Sequence, residues 1–326
     1  MTQKRKILVT GGAGYIGSNT SMLLLDQGYE VVVVDNLSRG HRHNVDPKRL
    51  HVIDIHDTEA LVNLMREGRP DAVIHFAAYI AVGESMKVPE LYFQNNLAGS
   101  LSLFTAMVRS NVKHLVFSST AAVYGVPEKT PIPEDLPYAP VNVYGHSKVM
   151  VEQMLYWFDQ IHNLRSICLR YFNASGTDPQ GRVGEEHDPE THLIPLLFRA
   201  IQTGQPVTIF GEDYPTPDGT CIRDYIHVTD LAQAHILALE SLVSGGPSNK
   251  FNVGTGSGFS VRQVMTAVEE VTGQKIPFAL GPRREGDPPA LVADSSKLRK
   301  TLNWEPRYAN LRDIVSSAWQ FASKKR

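Results

Sequence analysis

Short apolar runs alternate with stretches of helical periodicity through the first half of the chain. Apolar runs bounded by turn residues indicate buried strands, and apolar residues recurring every three to four positions indicate amphipathic helices. We predict strands at residues 6–9, 30–34, 50–53, 72–75, 114–117 and 165–171, and helices at 18–27, 91–109 and 143–161. Because parallel strands need helical crossovers, this alternation predicts a parallel sheet covered by helices.

The pattern changes after the strand at 165–171. Clusters of Asp, Gly, Pro and His at 178–189 and 211–219 interrupt shorter elements, as in long surface loops. A strand at 224–228, a helix at 229–242 and a strand at 251–253 are expected to return to the main sheet. We therefore predict an α/β protein with a doubly wound, Rossmann-type parallel sheet in residues 1–173, with returning elements from about 224–253, and a smaller substrate-binding α/β domain in 174–326.

Composition and charge exclude several classes of partner. The 326 residues include 32 basic and 34 acidic side chains, well mixed, for a formal charge of −2. No sustained basic field attracts nucleic acid or a membrane surface, so a small polar ligand is the expected partner. Cys168 and Cys221 form no CxxC pair and are expected to be buried and reduced. We expect a cytoplasmic location.

A glycine-rich turn, Gly11-Gly12-Ala13-Gly14-Tyr15-Ile16-Gly17, follows the first strand and opens a helix. Gly11 permits the tight turn, Gly14 lets backbone amides approach a pyrophosphate, and Gly17 allows close packing of helix on sheet. The free N–H groups and the positive dipole end of the helix then face the phosphates. The turn therefore predicts a dinucleotide site.

Asp35 at the end of the second strand favours one dinucleotide over another. It lies close to the offset of about 20 residues expected after the glycine turn. Its carboxylate would accept hydrogen bonds from the adenosine ribose and repel a 2′-phosphate, which selects NAD over NADP. Arg39 and Arg42 favour NADP, but the acid at the strand end is itself the discriminating contact. NAD is the predicted cofactor.

Tyr144 and Lys148 are four residues apart, hence one turn apart on one helix face. A free tyrosine has a pKa of about 10, so we expect the neighbouring ammonium and a cationic nicotinamide to lower the pKa of Tyr144 and favour its phenolate. Tyr144 could then accept a hydroxyl proton. Thr120 ends a strand at the carboxyl edge, where ligands bind in open α/β sheets, and is placed to hydrogen-bond the same substrate oxygen.

Together these motifs resemble the extended short-chain dehydrogenase/reductases, and the likeness spans essentially the whole chain. Within that family the chain looks most like the UDP-glucose 4-epimerases. The segments that carry this second likeness are His75-Phe76-Ala77-Ala78, Ala81-Val82-Gly83-Glu84-Ser85, Arg170-Tyr171-Phe172-Asn173, Arg223-Asp224-Tyr225-Ile226-His227 and Arg283-Arg284-Glu285-Gly286-Asp287.

The resemblance implies a role for each residue of the motifs. Tyr144 would be the catalytic acid/base, Lys148 would bind the nicotinamide ribose and tune the tyrosine, and Thr120 stands where the family often has serine. Further cofactor contacts, beside the glycine turn and Asp35, are implied at Asn36, Asp54, Ile55, Phe76, Ala77, Asn95, Ser118 and Tyr171.

A UDP-sugar carries a diphosphate, which suits the planar, two-pronged guanidinium of arginine. Arg223 and Arg284 are the candidates, and Asp287 would accept ribose hydroxyls. The resemblance adds substrate contacts at Thr120, Asn173, His192, Leu193, Phe210, Tyr225 and Leu291. We predict no metal, because no matching carboxylate or cysteine set accompanies His41, His43, His51 and His56.

The implied activity is NAD-dependent interconversion of UDP-galactose and UDP-glucose. Hydride leaves sugar C4 for a tightly bound NAD, the 4-keto sugar turns over, and hydride returns to the opposite face. A UDP-pentose (xylose/arabinose) 4-epimerase and a non-catalytic NAD/sugar-nucleotide sensor remain alternatives. A 4,6-dehydratase is disfavoured because Ala121-Ala122, which cannot shuttle protons, follows Thr120.

Three positions depart from the best-known epimerases: Ile80 replaces a lysine, His192 an asparagine and Leu291 a tyrosine. The smaller Leu291 predicts that UDP-N-acetylhexosamines are also accepted. The family also implies a homodimer formed through the helices predicted at 91–109 and 143–161.

Overall fold

The computed structural model describes residues 5–284 and 287–324, so Glu285 and Gly286 of the predicted RREGD motif lie outside the described residues. The strands are β1 Lys6–Thr10, β2 Glu30–Asp35, β3 Leu50–Val52, β4 Ala72–His75, β5 His114–Thr120, β6 Arg165–Tyr171, β7 Asn173–Ser175, β8 Val207–Phe210, β9 Ile222–His227, β10 Asn249–Val253, β11 Gly258–Ser260, β12 Phe278–Gly281 and β13 Ala290–Leu291. The α-helices are α1 Tyr15–Asp26, α2 Thr58–Gly68, α3 Val82–Ser85, α4 Pro89–Tyr92, α5 Gly99–Arg109, α6 Val143–His162, α7 Leu193–Thr203, α8 Val228–Val243, α9 Val261–Thr272, α10 Ser296–Leu302 and α11 Leu311–Ser323.

The main sheet has seven strands in the order β10-β6-β5-β4-β1-β2-β3. Strand β1 pairs in parallel with both β2 and β4, with Leu8 opposite Val32 on one side and Val73 on the other. The order 3-2-1-4-5-6 within this sheet is that of a doubly wound dinucleotide-binding fold. The fold class predicted from the sequence is confirmed.

Two compact units divide the chain. Unit 1 comprises Met1–Gly125, Pro137–Arg170 and Ala232–Phe251, and unit 2 comprises Val126–Leu136, Tyr171–Leu231 and Asn252–Arg326. In unit 1 the largest core side chains include Phe104 and Phe117, each at most 1% exposed. Full burial of such a side chain stabilises the fold by about 1.5–3 kcal/mol.

Unit 2 contains its own core and a smaller sheet. Helices α7, α9 and α11 supply a core that includes Leu197, Val268 and Ile314. Strands β11, β9 and β13 are adjacent, and β7 pairs with β9. The strand that we expected to return to the main sheet at 224–228 therefore belongs to this second sheet instead, whereas the strand predicted at 251–253 does join the main sheet as the end of β10.

The helix predicted at 91–109 is not uniform. A π-helical segment, Phe93–Ala98, separates α4 from α5. Such wide turns are rare inside helices and occur often at functional sites. The sequence gives no signal for it, because apolar periodicity does not resolve a single widened turn.

Cys168 and Cys221 are both buried with free thiols, as expected. Within the described ranges, no helix combines the length and the apolar character needed to cross a membrane.

Candidate active site

The strands of unit 1 end at one edge of the main sheet because they are parallel. Thr10, Asp35, His75 and Thr120 are the last residues of β1, β2, β4 and β5. This is the edge at which open α/β sheets bind ligands.

The glycine turn is shaped by close backbone contacts. Gly11 has a φ of +71°, and a Cβ added there would lie 2.5 Å from the Ala77 backbone nitrogen. A Cβ on Gly17 would lie 2.2 Å from the Gly11 carbonyl oxygen. In the described chain no side chain caps the start of α1 at Gly14, and its first turn carries no acidic residue. The first-turn amides are thus suited to an anion, which fits the pyrophosphate of a dinucleotide.

Asp35 is buried beside this turn. Its Oδ2 accepts a hydrogen bond from the Ala13 N–H (2.9 Å), and its Oδ1 accepts one from the Leu37 N–H (2.8 Å). Burial raises the pKa of Asp35 although both backbone hydrogen bonds oppose the rise. The carboxylate is fixed against the turn and keeps further lone pairs for ribose hydroxyls, so the residues present fit NAD.

Several other predicted cofactor residues also belong to unit 1 and follow strands β2, β3 and β4 in the sequence. Asn36 donates to the Asp54 carboxylate (2.8 Å). Ile55 is buried at a position where a Cβ on Gly99 would come within 2.5 Å of it. The Phe76 ring lies 4.7 Å from that of His235.

Asn95 lies in the π-helical segment. Its side-chain amide donates to the Asn96 side-chain oxygen (3.0 Å). Asn96 in turn donates to the Tyr79 carbonyl (3.0 Å) and accepts from the Tyr79 N–H (2.8 Å). The widened turn therefore holds a local amide network against the backbone of Tyr79.

The three predicted catalytic residues converge in unit 1. The Asn142 side chain accepts a hydrogen bond from the Gly145 N–H (2.8 Å) and starts α6, which places Tyr144 in its first turn. The Thr120 side chain lies within hydrogen-bonding reach of the Tyr144 hydroxyl. The Lys148 ammonium donates to the Ser118 carbonyl (2.8 Å) and lies 5.9 Å from the centre of the Tyr144 ring.

Burial perturbs both titratable members of this group. It raises the pKa of Tyr144 to about 12, although the hydrogen bond with Thr120 opposes the rise. It lowers the pKa of Lys148 to about 7, against the attraction of Glu152. In the protein alone, the desolvation of Tyr144 outweighs the effect of Lys148, whose ammonium bonds to Ser118. The lowered tyrosine pKa that we expect therefore requires the cationic nicotinamide as well.

Sequence reasoning missed a buried ion pair one turn beyond Lys148. Arg170 on β6 donates to both carboxylate oxygens of Glu152 on α6 (3.0 and 2.7 Å), and both side chains are at most 1% exposed. Ser119 and Tyr138 also donate to Glu152 (2.5 and 2.8 Å). The Glu152 pKa is lowered because Arg170 and these donors outweigh burial. The ion pair connects α6 to the sheet. The available indication in the sequence was Glu152, an acidic residue one helical turn after Lys148.

In unit 2 the structure brings Arg223, Asp287 and Leu291 together. Arg223 forms an ion pair with Asp287 and donates to the carbonyls of Ile222 (2.8 Å) and Pro288 (2.9 Å). Leu291 is the register partner of Arg223 in the pairing of β13 with β9.

Phe210 and Arg284 form a second contact in unit 2. The Arg284 guanidinium carbon lies 4.2 Å from the centre of the Phe210 ring, a cation–π distance. Phe210 thus supplies an aromatic ring and Arg284 a positive charge directly beside it.

The remaining predicted residues of unit 2 lie on the small sheet and near α7. Asn173 on β7 pairs with Tyr225 on β9, and Tyr225 is buried in the core of this unit. Tyr171 ends β6 and is buried. His192 is the N-cap residue of α7, and Leu193 is its first residue.

His192 is also part of a cluster that we did not expect. Its Nδ1 lies 2.9 Å from an oxygen of Glu185 and 2.9 Å from an oxygen of Glu190, and His187 lies beside them. Burial lowers the pKa of His192, but the adjacent carboxylates of Glu185 and Glu190 outweigh it and raise the pKa to about 10. The spacing Glu185-x-His187-x2-Glu190-x-His192 was the available signal.

A glycine turn after β1, an acid at the end of β2 and a tyrosine–lysine pair on the helix after β5 define a dinucleotide-binding protein of the short-chain dehydrogenase/reductase type. The comparisons with known proteins narrow that class. Residues 7–254 match the model of the NAD dependent epimerase/dehydratase family, and the chain belongs to that family.

Similar proteins cover nearly the whole chain. A UDP-glucose 4-epimerase of Halalkalibacterium halodurans is 49% identical, over 97% of this chain and 95% of its own. The crystal structure of a UDP-glucose 4-epimerase from Brucella ovis in complex with NAD is 46% identical, with a TM-score of 0.95 over 97% of this chain and 98% of that one. The UDP-Glc/GlcNAc 4-epimerase structure from Campylobacter jejuni is 39% identical, with a TM-score of 0.85 over 98% and 99%.

Proposed function

We propose that this protein is an NAD-dependent epimerase that interconverts UDP-galactose and UDP-glucose by inverting C4 of the sugar. The observation that carries the proposal is the convergence of Thr120, Tyr144 and Lys148 at the carboxyl edge of the main sheet. Full-length similarity to UDP-glucose 4-epimerases supports the choice of reaction over the pentose and sensor alternatives.

NAD is held by unit 1. The amides at the start of α1 bind its pyrophosphate, and Asp35 binds the adenosine ribose. Lys148 binds the nicotinamide ribose, and the other predicted contacts of unit 1 line the cofactor. When bound, NAD supplies a hydride acceptor that also returns the hydride, so the reaction has no net redox change.

Tyr144 moves the proton. Its Oη accepts the proton of the C4 hydroxyl as hydride leaves C4, and gives it back to the 4-keto oxygen when hydride returns to the other face. Thr120 Oγ1 hydrogen-bonds the same sugar oxygen and orients it. Because burial raises the pKa of Tyr144, the tyrosine needs the positive charges of Lys148 and of the bound nicotinamide to act as a base at neutral pH.

Unit 2 is the sugar-nucleotide-binding domain in this proposal. Arg223 and Arg284 bind the diphosphate of UDP, and Asp287 accepts ribose hydroxyls. The aromatic ring of Phe210 stacks on uracil, while Asn173, Tyr225, His192 and Leu193 contribute near the phosphates and sugar. Anchoring UDP while leaving the hexose free to turn lets both faces of C4 be presented.

The test is turnover without added cofactor. Purified protein is incubated with UDP-galactose, and the anomeric and C4 proton signals are followed by NMR. Appearance of UDP-glucose is the expected result, since NAD stays bound through purification. No change even after NAD is added would overturn the hexose assignment, and conversion of UDP-xylose to UDP-arabinose in the same sample would assign the pentose reaction.

We also propose a homodimer formed through α5 and α6. Tyr156, Trp157 and Ile161 on α6 are 58%, 60% and 69% exposed, and Leu101 on α5 is 44% exposed. Exposed apolar side chains grouped in this way mark protein contacts. Light scattering should give twice the chain mass, and Trp157→Glu should give the single mass, whereas the matched change Val52→Glu on β3 should leave the dimer intact.

Reduced, buried cysteines agree with the predicted cytoplasmic location.

A further inference from the structure

A cluster of two histidines and two glutamates lies in the loop before α7. Glu185, His187, Glu190 and His192 each offer one nitrogen or oxygen, and these atoms all lie within 4.8 Å of one another. The shorter separations are 2.9 Å for His192 Nδ1 to one oxygen of each glutamate, and 3.2 and 3.6 Å for His187 Nδ1 to Glu185 Oε1 and Glu190 Oε2. Hereafter we refer to these four residues as the Glu/His cluster.

We propose that the Glu/His cluster binds one divalent transition-metal ion of the zinc class. Two imidazole nitrogens and two carboxylate oxygens form a four-ligand set of the kind that tetrahedral Zn²⁺ accepts. With metal–ligand bonds of about 2.0–2.2 Å, neighbouring ligand atoms of a tetrahedron lie about 3.3 Å apart. The four shorter nitrogen–oxygen separations, 2.9–3.6 Å, bracket that value, and all four ligand atoms lie within 4.8 Å of one another.

Glu185 points to a ligand independently of this spacing. Its side chain is only 9% exposed, and Oε1 accepts no hydrogen bond of normal geometry from the described residues, although two imidazole nitrogens lie at 2.9 and 3.2 Å. The Nδ1 atoms of His187 and His192 therefore lie close to Glu185 Oε1 without a hydrogen bond of normal geometry to it. Nitrogen and oxygen ligands of one metal ion have this arrangement, because their lone pairs point at the ion. A buried carboxylate oxygen without a hydrogen bond is otherwise costly.

Glu190 is oriented by the backbone before any ion binds. Its Oε1 accepts hydrogen bonds from the N–H groups of Thr191 (2.7 Å) and His192 (2.8 Å). Outer contacts of this kind fix ligating carboxylates. Two carboxylates, two neutral imidazoles and a divalent ion also sum to zero charge, which suits a partly buried site.

The ion has a structural role in this proposal. The four ligands span Glu185 to His192, and His192 is the N-cap residue of α7. Metal binding closes this short loop and fixes the start of the helix, as structural zinc sites do elsewhere. His192 is also a proposed substrate contact, but the reaction proposed above uses neither Glu185 nor His187, so variants at these two residues separate metal binding from epimerase activity.

The test is metal content and coordination of the full chain. Protein purified without chelator should contain about one zinc ion per chain, as measured by inductively coupled plasma mass spectrometry. After removal of metal, one equivalent of Co²⁺ should give the intense visible absorption of a tetrahedral site. Glu185→Gln keeps the side-chain shape and should weaken Co²⁺ binding by at least about 10-fold, whereas Glu186→Gln, the matched neighbour, should bind normally. Circular dichroism checks that each variant is folded.

Three results would overturn the proposal. One is a metal-free protein that binds neither Zn²⁺ nor Co²⁺. Another is equal binding by wild type, Glu185→Gln and His187→Asn, which would put the ion elsewhere. The third is an NMR spectrum in which both imidazoles of the Glu/His cluster stay doubly protonated after Zn²⁺ is added, which would identify a histidinium–carboxylate network instead.

Discussion

Unit 1 and unit 2 hold their candidate polar groups in different ways. In unit 1, Tyr144 and Lys148 stand one turn apart on α6, and burial shifts both pKa values toward the neutral forms. In unit 2, Arg223 and Asp287 come from a strand and a loop and neutralise each other. Desolvated groups on a rigid helix are prepared for proton transfer, whereas a paired arginine must exchange its partner for a ligand. Substitutions in unit 1 should therefore change kcat, and those in unit 2 should change KM.

The largest effect should come from Tyr144→Phe. It removes the atom that carries the proton, so we expect kcat for UDP-galactose to fall by about 10²–10⁴-fold with little change in KM. The melting temperature should hardly move, because the ring is kept. A coupled assay for UDP-glucose and a thermal melt measure both quantities.

The matched control for that change is Tyr156→Phe, on the same helix but 58% exposed. It should keep the wild-type kcat. If Tyr144→Phe retained more than a tenth of the activity, the assignment of Tyr144 as the acid/base would be contradicted.

Next in size is Arg223→Gln. Hydrogen bonds to charged groups contribute about 1.5–3 kcal/mol, so KM for UDP-galactose should rise by about 10–100-fold while kcat changes little. Arg262→Gln is the matched control, because Arg262 forms an ion pair with Glu212 on the same unit (3.6 Å). If Arg223→Gln lowered kcat at constant KM, the expectation that substitutions in unit 2 change KM would be contradicted.

A smaller effect is expected from Leu291→Tyr, which tests selection by unit 2. Leu291 lies opposite Arg223 in the sheet, and a tyrosine there would fill the room that an N-acetyl group needs. We expect wild type to epimerise UDP-N-acetylglucosamine and the variant to lose about 10-fold or more in kcat/KM for it relative to UDP-galactose. Leu280→Tyr, at a site 50% exposed, is the control. An equal deficit for that sugar in wild type and Leu291→Tyr would refute the hypothesis.

The same contrast explains what could be predicted from the sequence. The glycine turn, Asp35 and the Tyr144–Lys148 pair belong to single elements, whose periodicity and turn residues determine where they lie. The contacts of Arg223 with Asp287 and of Glu152 with Arg170 join residues on different elements, and spacing within one element does not reveal them. The strand at 224–228 was placed in the wrong sheet because an apolar run identifies a strand but not its neighbour.

The smallest effect concerns the stability of unit 1 as pH changes. Burial lowers the pKa of Lys148 to about 7 in the folded protein, against about 10.4 in an unfolded chain. Between these values the unfolded state binds more protons, so the contribution of Lys148 to the free energy of unfolding increases as pH rises. At full effect the slope is about 1.4 kcal/mol per pH unit, and we expect about 2 kcal/mol between pH 7 and 9.

Urea unfolding of cofactor-free protein at the two pH values measures this contribution. Subtracting the result for Lys148→Met isolates it, because every other titrating group is present in both proteins. Lys48→Met, which removes an exposed lysine of the same unit, should match wild type at both pH values. If the difference between wild type and Lys148→Met were the same at pH 7 and pH 9, Lys148 would be fully charged when folded. Tyr144 would then be the one member of the Tyr144–Lys148 pair whose pKa is shifted toward the neutral form by burial.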